Sequence, residues 1–202
     1  MAKTPASSST VTTRMSLLIR LNAAEPQPRE LAWEEFVRRY SPIIRGFARK
    51  LGCAAGDVDE IAQEVVVGFY AASPTFQYDP AKGRFRGYLK TCTMHAIQKH
   101  RRKSGRHAGA PIDEIDVADP RHDQTWNDLF EKQLLRQAIN DTRDRYKNNT
   151  TFQAWKLVVI DQVPSEKAAE QLGMSLDNVY KAKQRISTAV KDRLIELGGG
   201  EH

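Results

Sequence analysis

Cysteine is scarce in this chain. Cys53 and Cys92 are the two present in 202 residues, and neither has the spacing of a metal knuckle or a disulfide framework. The five histidines, His95, His100, His107, His122 and His202, add no ligand cluster, and His95 and His100 share no clean helical face. A phosphate-binding Walker loop, a dinucleotide fingerprint, a GxSxG elbow and an HExxH helix are all missing. The carboxylates have no distinctive catalytic spacing. An enzyme is therefore not expected, nor are a cofactor, a metal site or catalytic residues. No run approaches 18 consecutive apolar residues, which argues against membrane insertion. The opening "MAKTPASSSTVTT" has little charge and no apolar segment after it, so residues 1–13 read as a disordered leader rather than a signal peptide. Cysteine use itself says little, and a reduced, cytoplasmic setting is expected mainly because no signal peptide is read.

Charge is unevenly distributed. Residues 1–110 hold 18 Lys/Arg against 9 Asp/Glu, whereas the remainder is slightly acidic, and the whole chain carries a formal +6. A basic front half points to a polyanionic partner without proving one. Apolar spacing is helical nearly throughout. In "ELAWEEFVRRYSPIIRGFARKLG", Leu31, Trp33, Phe36, Val37, Tyr40, Ile43, Ile44 and Phe47 recur mostly every three or four residues. Pro42 can start or bend this helix, and Gly52 can end it. Asp57 or Asp59 is a plausible N-cap for the next helix, and 87–102 forms a third with Tyr88, Leu89, Ala96 and Ile97 inward. Between Pro111 and Phe130 six acids meet one arginine, so 105–126 is expected to be a solvated acidic tether. No strand alternation competes. The expected fold class is all-α: two small helical domains, 14–104 and 127–197, joined by a flexible linker, with a flexible tail at 198–202.

The most specific local pattern is "SEKAAEQLGMSLDNVYKAKQRI", which has the form of a helix-turn-helix. Ser165 would cap the first helix, Gly173 would close it in the left-handed conformation, and Ser175 would cap the second. Ala168, Ala169, Leu172, Met174, Leu176, Val179, Ala182 and Ile186 make the expected buried surface. That leaves Asn178, Tyr180, Lys181, Lys183, Gln184 and Arg185 exposed, with Ser175 at their head. Arg, Gln and Asn can reach base edges in the major groove, while Lys and Tyr can anchor phosphates. The competing interpretation is a helical hairpin with an ordinary wet basic face.

A second run, residues 59–103, passes from acids through aromatics into a basic tail. On a helix, Ile61, Val65 and Phe69 face the core, leaving Glu60, Gln63, Glu64 and Val67 on another surface suited to a protein partner. Asp59, Glu60 and Glu64 equally suit the positive end of a helix dipole. Further on, Phe76, Tyr78, Phe85 and Tyr88 alternate with Lys82, Arg84 and Arg86. Aromatic faces can stack on unpaired bases while cations hold phosphates, although Phe85 and Tyr88 serve equally well as core residues. "KHRRK" extends the basic character.

Two quoted runs carry a resemblance. "DEIAQEVVVGFY" followed by "FQYDPAKGRFRGYLKTCTMHAIQKHRRK" resembles region 2 of an extracytoplasmic-function (group 4) sigma factor of the sigma-70 family, and "GRFRGYL" is similar to planctomycete-type members. "TTFQAWKLVVIDQVPSEKAAEQLGMSLDNVYKAKQRISTAVKDRL" resembles region 4. The resemblance implies a role in directing promoter-specific transcription initiation. It implies core-polymerase contacts, mainly to the beta-prime clamp helices, for Asp59, Glu60, Gln63 and Glu64. It implies −10 DNA contacts for Phe76, Tyr78, Arg84, Phe85, Arg86, Tyr88 and Lys90, continued by His95, Gln98, Lys99, Arg101 and Arg102. Region 4 would read the −35 element through Ser175, Asn178, Tyr180, Lys181, Lys183, Gln184 and Arg185 and meet the beta flap. Members often pair with an anti-sigma factor. The rival interpretation is a stand-alone helix-turn-helix regulator that does not replace a sigma factor.

Overall fold

The computed structural model describes residues 17–76, 85–108, 119–146 and 150–198, and they are helical with no strand among them. The helices are α1 (Pro26–Lys50), α2 (Ala55–Ala72), α3 (Phe85–Ala108), α4 (Pro120–Arg145), α5 (Thr150–Trp155), α6 (Ser165–Leu172) and α7 (Leu176–Glu196). A 3-10 turn, Ser73–Thr75, follows α2, and a π turn, Lys156–Ile160, continues α5. The chain divides into two compact units, Arg14–Gln133 and Leu134–His202. The expected leader and tail lie outside the described residues, except for Gly198.

In the first unit α1 buries Ala32, Phe36, Tyr40, Ile43, Ile44 and Phe47 along one face. Pro26 starts the helix, where its missing N–H costs nothing, and the helix runs through Pro42 without ending. Gly52 at φ 79° ends it: Gly52 N–H donates to the Arg49 carbonyl and Cys53 N–H to that of Ala48, at 3.0 and 3.1 Å. This is a left-handed glycine closing the last turn. Helix α2 begins two residues ahead of Asp57, with Ala54 as its extended cap. Asp57 and Asp59 therefore sit inside the helix, where Asp57 complements the dipole instead of capping. Ile61, Val65 and Phe69 are buried, as their spacing predicts, and Val58 and Ala62 join them. Phe69 stacks on Phe36 at 4.9 Å between ring centroids and meets Phe85 at 5.3 Å.

The acidic tether differs from expectation. Pro120 already begins α4, and the division between units falls after Gln133, not before residue 127. Trp126 is 1% exposed and meets Phe47 edge-on at 5.1 Å, while Phe130 packs on Tyr40 at 6.0 Å. A Cβ on Gly46 would stand 3.1 Å from Leu129, so α1 admits α4 closely at that point. Burying two large rings is worth several kcal/mol, enough to order a segment that its charges alone would keep in water.

In the second unit, Leu134–His202, α4 contributes Leu134 and Ala138, α5 contributes Phe152, Ala154 and Trp155, and α7 contributes Val179, Ala182, Ile186 and Val190. The Trp155 indole N–H donates to Ser187 Oγ at 3.0 Å, and Arg193 bonds Asp141 at 2.8 Å.

Candidate functional site

Three surfaces hold the residues singled out by the sequence. The first is the outer face of α2. Asp59, Glu60 and Gln63 are exposed, Glu64 is half-exposed, and Val67 stands 57% exposed beside them. Arg45 Nε donates to Asp59 Oδ1 at 2.5 Å. Lys99 Nζ donates to Glu64 Oε1 at 2.8 Å, and His100 Nε2 lies 3.3 Å from Oε2. The Lys99 hydrogen bond holds the Glu64 carboxyl below the usual glutamate range. Glu60, Gln63, Glu64 and Val67 line a shallow cleft of about 350 Å³ with Lys99 and His100. Beyond Val67 lies a broader apolar groove between α1 and α2, floored by Trp33, Val37 and Tyr70. Leu31 and Val37 thus lie on the outer side of α1, not in the core. The sequence did not reveal this groove, because Trp33 and Val37 share the helical spacing of the buried Phe36 and Tyr40; the exposed Val67 was its visible sign.

The second surface is α3 and the turn before it. Phe76 is half-buried, edge-on to Phe69 at 5.3 Å and 5.0 Å from Tyr88. Tyr88 is partly exposed instead of inward. Burial of its hydroxyl, then a hydrogen bond with Cys92, pushes its pKa up to about 12, so it remains a neutral phenol. Tyr78 and Arg84 lie outside the described residues. Phe85 is 5% exposed and belongs to the aromatic core, touching Phe36, Tyr40 and Phe69; it offers no stacking face. Arg86 and Lys90 are also withdrawn, at 9% and 8% exposure. Arg86 Nη1 lies 3.5 Å from Glu131 Oε1 with its guanidinium over the Phe130 ring, and Lys90 Nζ donates to Asp123 Oδ1 at 2.5 Å. In this conformation neither presents its cation to an incoming phosphate. Gln98 and Arg101 are half-buried, and Arg101 Nη2 donates to the Leu51 carbonyl. Tyr88, His95, Lys99 and Arg102 remain, at positions that fall on one helical face, and all are exposed.

The third surface is α7. Ser165 opens α6 without capping it, because Pro164 occupies the cap position. Gly173 is left-handed at φ 62°, and Met174 N–H donates to the Ala169 carbonyl at 3.0 Å. Ser175 caps α7: its Oγ accepts from Asn178 N–H at 3.2 Å. Ala168, Ala169, Val179, Ala182 and Ile186 are buried, Leu172 and Met174 are half-buried, and Leu176 is 38% exposed at the head of the helix. Asn178, Tyr180, Lys181, Lys183, Gln184 and Arg185 are all exposed. Lys181 pairs with Asp177 at 2.7 Å, and the Arg185 guanidinium lies over the Tyr146 ring at 5.5 Å.

With this geometry in place, comparison with protein families gives a match over α1 from Phe36 through α2 to His107 in α3. Residues 36–107 match Sigma-70 region 2. The segment is thus similar to a sigma-70 region 2 domain. Both the α2 face and the α3 stripe fall within the region 2 match. The α6–α7 pair lies beyond it. No curated protein matches the chain. Among the described residues no helix is long and apolar enough to cross a membrane, and no three His, Cys, Asp or Glu side chains gather as a metal site.

Proposed function

We propose that this chain is a promoter-specific sigma factor of the extracytoplasmic-function type, similar to planctomycete members. The observation that carries the proposal is the region 2 match, spanning a helix pair whose wet faces differ in chemistry. The α2 face, with Asp59, Glu60, Gln63 and Glu64, docks on the beta-prime clamp helices. Phe76, Tyr88 and the His95, Lys99, Arg102 stripe engage the opened −10 strand, where rings stack on bases and cations hold phosphates. The α6–α7 pair reads the −35 element through Asn178 to Arg185 and meets the beta flap. Polymerase holds both units, so two weak DNA contacts act as an intramolecular pair. The setting is cytoplasmic, and an anti-sigma factor is the natural antagonist.

The test is run-off transcription with purified core polymerase and promoter libraries, comparing wild type with Q63A/E64A and K181A/R185A. Both variants should lose transcription, but only Q63A/E64A should lose core binding. Sequence-specific DNA binding without polymerase-dependent initiation would favour the stand-alone regulator instead.

A further inference from the structure

Lys181 and Arg185 are two cations of the proposed duplex-reading helix, and they are held in different ways. Asn178, Lys181 and Arg185 recur at three- and four-residue spacing, so they share one face of α7, and all are exposed. Lys181 places its charge against Asp177 of its own helix at 2.7 Å. The Arg185 guanidinium instead lies over the Tyr146 ring, 5.5 Å from its centroid, and that ring belongs to another element. Tyr146 closes α4: its N–H donates to the Thr142 and Arg143 carbonyls, each at 3.1 Å. Just before it, Thr142 is buried and Asp141 accepts from Arg193 of α7 at 2.8 Å. The end of α4 is thus tied to α7 at two points, and the half-buried ring stands on a fixed platform.

A guanidinium stacked on a ring has its flat face covered and its N–H edge left over. That edge is what donates to guanine O6 and N7 in the major groove. An arginine on an exposed helix face otherwise gives up its rotamer freedom on binding, and the stack removes part of that freedom beforehand. We infer that Tyr146 is a positioning residue for duplex reading: its ring holds the Arg185 guanidinium in the plane from which it donates to a base edge. The inference rests on the proposed reading of the −35 element by α7, and it adds a residue outside the helix-turn-helix that sets the sequence preference. Tyr146 brings no charge, so it acts on selectivity and not on the number of phosphates neutralised.

The test keeps the full chain on core polymerase. Random duplexes of about 20 base pairs, two helical turns, are selected in parallel with wild type and with R185A. The probe is the duplex enriched by wild type alone, and a scrambled duplex is its reference. Y146L should reduce the preference for the probe over the reference about 3- to 10-fold, whereas Y146F, which keeps the ring, should retain it. R185K keeps the charge without the plane and should match Y146L. The slope of log K against log salt should stay at the wild-type value in Y146L and fall by about 0.9 in R185A. Y146L/R185A should be no worse than R185A alone, since a ring that merely props the fold would cost binding in either background. Wild-type preference in Y146L overturns the inference and leaves duplex reading by α7 standing. So does a preference that rises in Y146L, which would make the ring a resting place for Arg185, or losses that add in the double variant. If no duplex is enriched by wild type alone, reading through Arg185 falls and the inference falls with it.

Discussion

Glu64 joins two surfaces through one carboxylate: it lies on the α2 face, while Lys99 and His100 reach it from α3. Its pKa is lowered, first by the Lys99 hydrogen bond. The folded chain therefore binds this proton more weakly than the unfolded chain does. Its stabilisation is present above the ordinary glutamate pKa and fades as pH falls through the lowered folded value. Both side chains keep solvent access, so the pair is worth only about 0.5 kcal/mol. E64Q should lower the urea midpoint slightly at neutral pH, and that difference should close as pH falls through the lowered folded pKa. A difference that persists in acid would trace the effect to packing. Ser187 has larger consequences because its partner is buried. S187A strands the Trp155 indole N–H, and chemical denaturation should show a loss of about 1–2 kcal/mol.

Among the elements, the α6–turn–α7 pair is held by two local devices that different substitutions separate. Gly173 occupies a left-handed position with nothing within 4 Å of where a Cβ would stand, so G173A suffers only backbone strain, about 1 kcal/mol. S175A loses a cap bond, about 1 kcal/mol. Because the two act at different groups, their effects on thermal unfolding should nearly add. This turn was legible because glycine, caps and apolar spacing each depend on near neighbours in sequence. The start of α4 was not. Trp126, Phe130, Leu134 and Ala138 do recur every four residues and are all buried. Six acids between Pro111 and Phe130 outweighed that stripe, since composition cannot show that Lys90 waits opposite one of them, Asp123, and Arg86 opposite Glu131 just beyond. Phe85 illustrates the same limit. An aromatic flanked by arginines suits both a core and a nucleic-acid face, and only the positions of Phe36, Tyr40 and Phe69 decide between them.

Across the whole chain, the formal +6 is the sum of a strongly basic front half and an acidic remainder, so total charge says little about the nucleic-acid contacts proposed for it. The salt dependence of binding is more informative, because each phosphate neutralised releases counterions in proportion to the cations in contact. Lys99 and Arg102 lie on the α3 stripe, whereas Lys181 and Arg185 lie on α7, and all four are exposed. If α3 handles an unpaired strand and α7 a duplex, removing either pair should flatten the salt dependence for one probe only. K99A/R102A should reduce the single-strand slope of log K against log salt by about 1.4, from 0.7 per cation, and leave duplex binding near wild type. K181A/R185A should reduce the duplex slope by about 1.8, at 0.9 per cation, with little change on single strands. Anisotropy titrations of both probes across a range of KCl concentrations would measure all four slopes. Equal loss on both probes from either variant would mean that the two faces contribute only diffuse positive charge. Selective losses would give each helix its own nucleic-acid form, which a factor that reads one promoter element as duplex and holds another as an open strand requires.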